Sequence, residues 1–348
     1  MDSKTVTILN VDDRKWKDYI FDRPDVNVFH HPQWSINFYE VYGYKPYVFA
    51  LINSEGAVVG GIPVSDVSSP FTGKRWVSLP YTDHCIPVLD DPASFETLAD
   101  QIINLYQTRQ IPKTELRWSF PKRKEIQREV SNVLHTQTCH DLDSAYKGIQ
   151  KRMQEYIKTF SQRDVHIERD ISIPFVKAFY EMHVATRRKH GIPVQPWRYF
   201  EGLQKNIFEK GMGSIILAFD GKHNCLAGSV ILHWKNTLTI KYRASITDNQ
   251  VLGKLRPNYQ LDWEVIKIAC DNNFGKIDFG RSDINQPGLR QYKKNWGFEE
   301  QELAYSLIGY PPRGGSGLGL RKIPEYVIRH SPLWVCRLSG ELLYKHFA

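Results

Sequence analysis

The feature that most constrains the fold is a pattern that occurs twice. The β-rich runs 47–52 and 57–64 are joined by the four-residue turn Asn53-Ser54-Glu55-Gly56, and the runs 215–219 and 226–232 are joined by residues 220–224. Each returning run carries glycine where it enters the core, Gly60-Gly61 in the first pair and Gly228 in the second. The surroundings repeat as well. A helix from His31-Pro32 to Gly43 precedes the first pair, and the strand 76–80, a helix 94–106 with Leu98, Ile102 and Leu105 on one stripe, and the strand 114–120 follow it. Helices over 174–190 and 200–208 precede the second pair, and the strand 237–242, a helix 258–272 and the strand 276–279 follow it. A repeat of about half the chain implies a duplicated domain, whereas solenoid units run roughly 20 to 50 residues. The expected class is α/β (α+β), with two tandem domains, each a mixed, mostly antiparallel sheet flanked by helices.

The boundary is expected near residues 136–147, which gives domains over 1–140 and 141–310 and a tail over 311–348. The tail opens with Gly314, Gly315, Gly317 and Gly319 but lacks the Gly-Lys-Ser/Thr ending of a phosphate loop. Beyond it, Tyr326, Trp334, Leu338 and Leu342 mix with Arg329, Arg337 and Lys345. A basic amphipathic helix of this kind either lies on a membrane surface or docks on the core.

With 41% hydrophobic residues among 348, the chain is no disordered segment, and it is long enough for two cores. No run approaches the ~20 apolar residues that span a bilayer, and Met1-Asp2-Ser3-Lys4 is no signal peptide, so a cytoplasmic location is expected, with the tail as its one route to the inner face of a membrane. A net charge of +8 favours an anionic partner: a CoA, a tRNA, a lipid pyrophosphate or an acidic membrane. No RNA-reading signature accompanies it. Cys85, Cys139, Cys225, Cys270 and Cys336 are scattered without C-x-x-C spacing, which fits reduced thiols, and no metal is expected.

The chemistry is expected around Asp278-Phe279-Gly280-Arg281-Ser282, which leads through Pro287-Gly288 to Tyr292-Lys293-Lys294-Asn295-Trp296-Gly297. A short strand ends at Gly280, and strand ends in α/β sheets are where small molecules bind, so Asp278, Arg281, Ser282, Asp283 and Lys293 form a polar cluster at a cleft mouth. Strand, Asp-Phe-Gly, polar loop, then aromatic-Lys-x-x-aromatic-Gly resembles the end of the catalytic domain of Fem-type acyltransferases. These belong to the GNAT superfamily, with relatives among the acyltransferases of polysaccharide gene clusters. The likeness continues upstream through residues 179–183, 186–194 and 196–200 and covers roughly residues 145 to 309.

The resemblance implies two GNAT-like halves and transfer of an acyl group, acetyl first of all, from acyl-CoA to an amino group of an amino sugar or a cell-envelope or exopolysaccharide precursor. Transfer from aminoacyl-tRNA to a peptidoglycan precursor is the alternative within enzymes. A non-catalytic scaffold for a lipid-linked glycan is the alternative outside them. In this reading Lys293 faces the donor carbonyl, Asp278 orients the amine or accepts its proton, and Tyr242 donates to the leaving group. Gln250-Val251-Leu252-Gly253-Lys254-Leu255 stands where the family holds the CoA pyrophosphate but ends in Leu. Gln250, Gly253, Lys254, Arg256 and the start of a helix at Asn258 are the expected cofactor contacts. Arg281 and Ser282 are expected to meet the acceptor, with Arg187, Arg188 and His190 lining its side of the cleft and Tyr81 and Asp83 facing it from the first half.

Overall fold

The computed structural model describes residues 4–70, 73–311 and 325–346. The Gly-rich start of the tail lies outside them. The chain divides into two compact units, one of Met1–Val133, Glu302–Gly314 and Lys345–Ala348, the other of Leu134–Gln301 and Gly315–Tyr344. It passes from the first to the second within strand β7 (Ile126–Thr138) and returns within β13 (Glu299–Ile308).

The first unit begins with β1 (Thr5–Asn10), α1 (Arg14–Phe21) and α2 (Pro32–Tyr42). An antiparallel meander follows: β2 (Lys45–Ile52), β3 (Val58–Ser69) and β4 (Gly73–Val77). The two-residue β5 (Val88–Leu89) pairs with β3. Helix α3 (Ser94–Gln107) then carries the chain to β6 (Thr114–Leu116), which lies parallel to β4. The predicted stripe of α3 is the buried one, Leu98, Ile102 and Leu105. Sequence patterning assigns the last strand to the second half, but Ser306, Leu307 and Ile308 of β13 pair with β6 here.

The second unit opens with α4 (Leu142–Gly148) and α5 (Lys151–Lys158) and then follows the plan of the first. It has β8 (Val165–Asp170), α6 (Ile173–Lys189) and α7 (Trp197–Leu203), then the meander β9 (Gly213–Asp220), β10 (Cys225–Trp234) and β11 (Thr237–Ser245). Helices α8 (Asn249–Leu255) and α9 (Pro257–Asp271) lead to β12 (Lys276–Asp283), which lies parallel to β11. After β12 come α10 (Pro287–Asn295), the start of β13, a helix α11 over 325–330 and α12 (Leu333–Leu343). Thus β1-β2-β3-β4-β6 in one unit and β8-β9-β10-β11-β12 in the other share strand order and directions. The glycines of the returning strands also match. A Cβ on Gly61 would stand 3.0 Å from the Trp16 ring of α1, and one on Gly228 3.0 Å from the Phe179 ring of α6, so each sheet lets an aromatic of its first long helix settle onto the backbone.

In the second unit α9 packs one face of the sheet through Leu261, Val265, Ile266 and Ala269, against Ile216, Ile231, Leu238, Ile277 and Phe279. Helix α6 buries Val176, Phe179, Met182, His183 and Val184. Among the described residues no helix is long and apolar enough to cross a membrane.

Candidate active site

Strands β11 and β12 are paired only over Thr237–Thr239 and Lys276–Asp278, after which they run on without each other. The divergence coincides with Gly280 within β12, whose left-handed φ of 67° departs from the extended conformation and turns the strand aside. Asp278, buried two residues earlier, accepts the Gly280 N–H at 2.7 Å and fixes that turn. The carbonyls that the turn exposes are collected by Lys293 from α10, whose Nζ donates to Phe279 at 2.7 Å, Gly280 at 3.0 Å and Arg281 at 3.0 Å. An ammonium has three hydrogens, and these three bonds use them. The Lys293 ammonium, expected to face a donor carbonyl, faces these three backbone carbonyls in the structure. It is a buried strut, and with Asp278 it holds the strands apart.

A bulge marks the other side of the splay. The β10–β11 register steps from Ile231↔Ile240 to Val230↔Tyr242, leaving Lys241 as an extra residue on β11. Beyond it, neighbouring residues of β11 point to opposite faces. Tyr242 turns to the α6–α7 face. Its hydroxyl donates to Tyr199 at 3.0 Å, and its ring meets His183 edge-on at 5.4 Å. Burial, and then the Tyr344 neighbour, push the phenol above its ordinary value, so it keeps its proton at neutral pH. His183 meets Gln195 at 2.9 Å, and burial, then the Arg187 charge, lower its pKa to about 3. It stays neutral.

Arg243 turns to the α9–α10 face, and composition and spacing gave no sign of its role. Its guanidinium lies 2.7 Å from Asp262 of α9 and 3.3 Å from the Tyr292 hydroxyl, and it sits over the Phe279 ring at 5.2 Å. Tyr292 in turn donates to Asp262. Asp262 is 2% exposed, and burial, opposed by Arg243, leaves its pKa raised to about 6. The triad braces strand β11 against α9 and α10.

The stretch expected to hold a pyrophosphate is a helix. Asp248 caps α8, its carboxylate accepting from the N–H groups of Gln250 at 2.9 Å and Val251 at 3.1 Å. The anion that these donors face is the protein's own, so the expected phosphate nest around Gln250 and Gly253 does not form. Asn258 is the second residue of α9, behind Pro257, which has no N–H to offer. Gly253 is exposed, and a Cβ there would meet nothing within 4 Å. Gly253→Ala is expected to stabilise the unit by about 0.5–1 kcal/mol through helix propensity and to leave donor affinity unchanged. Thermal unfolding and a donor titration check it, and a large loss of donor affinity would restore the nest.

Cations gather instead at the far end of α8. Arg256, the αL residue between α8 and α9, lies 3.6 Å over the Tyr156 ring. Arg152 Nε donates to the Tyr156 hydroxyl at 2.7 Å, and Arg163 donates to the Lys254 carbonyl. No carboxylate pairs with Arg152, Arg163, Lys254 or Arg256 among the described residues, and Arg256 Nη1 and Arg163 Nε are buried without a hydrogen-bond partner. Arg152 and Arg163 were not singled out from the sequence, since they precede the motif by about a hundred residues.

The remaining expected contacts are spread out. Arg281 is exposed on β12, and Ser282 is buried with its hydroxyl unpartnered. Arg187 donates to the Pro193 carbonyl at 3.0 Å, and Arg188 and His190 end α6, where Lys189 reaches Asn249 at 3.4 Å and Thr186 bonds the Ser245 carbonyl at 3.2 Å. The end of α6 is thereby tied to the end of β11 and the start of α8. His190 has its pKa lowered by burial and by Lys189, Arg187 and Arg329. In the first unit Tyr81 takes a left-handed φ of 57° with its hydroxyl 3.3 Å from that of Tyr44, and the Asp83 carbonyl accepts from Tyr305 at 2.6 Å.

Residues 145–294 match the family model described as acetyltransferase (GNAT) domain. No curated protein sequence matches the chain. Solved structures with the same fold include FemX, at 12% identity and a TM-score of 0.63, covering 92% of this chain and 100% of that one. A tandem GNAT protein from the clavulanic acid biosynthesis pathway covers 89% of this chain and 100% of its own at 10% identity and a TM-score of 0.53. L-PGS from Bacillus licheniformis covers 92% and 97% at 12% identity and a TM-score of 0.52. At such identities fold is what is shared: the chain has a fold similar to those of FemX and a tandem GNAT protein, and its residues 145–294 match the model of a GNAT acetyltransferase domain.

Proposed function

We propose that the protein is an N-acyltransferase that moves an acyl group, acetyl first of all, from acyl-CoA to an amino group of an amino sugar or another cell-envelope or exopolysaccharide precursor. The observation that carries this reading is the splay of β11 from β12 in a GNAT domain, with a proton-bearing Tyr242 on its wall. Strand edges without a partner suit an extended, amide-bearing donor arm, which adds to β11 as a further strand would. The unpaired cations Arg152, Arg163, Lys254 and Arg256 suit the donor's phosphates. The amine nitrogen attacks the thioester carbonyl, whose oxygen takes up the developing negative charge. As the C–S bond breaks, Tyr242 gives its phenolic proton to the leaving thiolate, and the proton lost by the amine returns to the phenol through solvent. Arg281 and the end of α6, with Arg187, Arg188 and His190, are the proposed acceptor contacts.

One observation favours a second reading. Asp248 occupies the N–H groups at the start of α8, which removes a backbone site for a CoA pyrophosphate and suits an aminoacyl-tRNA donor held by side-chain cations. Mass spectrometry of molecules retained on the purified protein separates the two. Bound acyl-CoA supports the first and bound tRNA the second. Neither, together with no turnover on amino-sugar acceptors, leaves a non-catalytic scaffold.

A cytoplasmic protein working at the inner face of a membrane fits the tail. Helix α12 buries Cys336 and Gly340, the latter against Val194, and Glu341 accepts the Trp197 N–H at 2.8 Å. Outward it presents Trp334, Leu338 and Leu342, which are 64%, 51% and 60% exposed. The helix is docked on one side and apolar on the other, which supports a tail that packs on the protein and offers an apolar face to a membrane. Replacing Trp334, Leu338 and Leu342 by Ser is expected to abolish sedimentation with anionic vesicles and leave thermal unfolding unchanged. Unchanged sedimentation excludes a membrane role for α12.

A further inference from the structure

The outer edge of the second unit's sheet carries a group of side chains that the acyl-transfer reading does not use. His166 and Glu168 stand two residues apart on β8 and so project from the same face, while His223 comes from the turn between β9 and β10. Three atoms converge. His166 Nε2 lies 3.3 Å from His223 Nδ1 and 3.3 Å from Glu168 Oε1, and His223 Nδ1 lies 3.8 Å from the same Glu168 oxygen.

These separations are those of a ligand set. Zinc takes His nitrogen and carboxylate oxygen at about 2.0–2.2 Å in tetrahedral geometry, which puts any two ligand atoms about 3.3–3.5 Å apart. Two edges of the triangle already have that length, and the third closes with a few tenths of an ångström of movement by a side chain 40% exposed. The frame around it is stiff. His166 pairs across the sheet with Phe219, and both imidazoles stack on that ring, His223 at 4.4 Å and 3° and His166 at 5.4 Å and 19°. The turn is pinned by Asp220, whose Oδ1 accepts from the N–H groups of Lys222 at 2.9 Å and Asn224 at 2.8 Å, and His223 there takes a φ of 62°.

We propose that His166, Glu168 and His223 form a surface site for a divalent transition metal, zinc above all. Two imidazoles and one carboxylate form a borderline-soft set that suits zinc and its neighbours and leaves calcium and magnesium, which need oxygen ligands, unbound. The fourth position faces solvent and takes water. Bound metal would fasten the edge strand β8 to the β9–β10 turn. His166 coordinates through Nε2 and His223 through Nδ1, so a bound metal takes the place of any proton on those two nitrogens.

The test uses the full chain, freed of any polyhistidine tag and stripped with chelator. Zinc titration calorimetry at pH 7.5 is expected to show one site per chain, and cobalt(II) is expected to give the visible bands of a tetrahedral ion. His166→Gln and His223→Gln each remove a ligand. Loss of an outer-shell partner alone costs about 10–100-fold in metal affinity, so each is expected to weaken zinc binding by at least about tenfold without moving the metal-free melting temperature. Equal zinc affinity in parent and both variants overturns the proposal, as does no saturable binding by the parent. Binding that survives both His variants but is lost with Cys139→Ser also overturns it, since Cys139 and Cys270 are another close pair of zinc-binding atoms, with sulfurs 2.7 Å apart.

Discussion

Lys293→Met is expected to lower the stability of the second unit by about 3–5 kcal/mol. Met keeps most of the stem, so packing against Phe279, which the Lys293 ammonium approaches to 5.1 Å, changes little. What is lost is the donor to three carbonyls around a turn that the backbone would not otherwise hold. Buried acceptors left without partners cost about 1–3 kcal/mol each, and some of that is recovered by water. The sequence reading predicts a different outcome, a rate loss of about 10²–10³ with the fold intact. Urea unfolding followed by tryptophan fluorescence separates them. A variant as stable as the parent but catalytically dead would return Lys293 to the reaction.

Arg243→Met is expected to cost about 3 kcal/mol or more at pH 8, because it leaves the Asp262 carboxylate buried with only the Tyr292 hydroxyl beside it. The pH dependence follows from Asp262. Its folded pKa of about 6 lies above the roughly 3.9 of an unfolded Asp, so between these values the folded state binds more protons than the unfolded one. Stability from this group is therefore greatest at low pH and falls as pH rises through 6. Without Arg243 the carboxyl titrates higher still, and the penalty of the variant is expected to shrink between pH 8 and pH 5.5. Replacing the pair together, Arg243→Met with Asp262→Leu, is expected to recover most of the loss, since an apolar pair of similar size needs no desolvation. A double variant no more stable than Arg243→Met would show that the cost lies elsewhere.

The duplication was legible because both meanders combine β-rich alternation with glycines that admit an aromatic, Trp16 in one unit and Phe179 in the other. Strand β7 was not, because only Val133, Leu134 and His135 in it are buried and the rest reads as polar loop. Helix α8 was hidden by its own motif. Gln250 to Leu255 resembles a phosphate loop, and the residue that makes it helical is Asp248, two places upstream. In the site, Asp278 and Lys293 were legible as charges, but their bonds to the backbone around Gly280 were not, because a sequence shows that a charge is present and not which backbone groups it meets. Arg243 and Asp262 meet across 19 residues between a strand and a helix, and His166 and His223 across 57, so no local spacing signals either group.

Hydrogen–deuterium exchange of the protein with and without saturating acetyl-CoA tests the splay most directly as the donor site. Protection is expected in residues 240–245 of β11, in 278–283 of β12 and around Arg256, with the rest of the chain unchanged. Exchange that is identical with and without donor across those segments, at concentrations that support turnover or far above them, would contradict it.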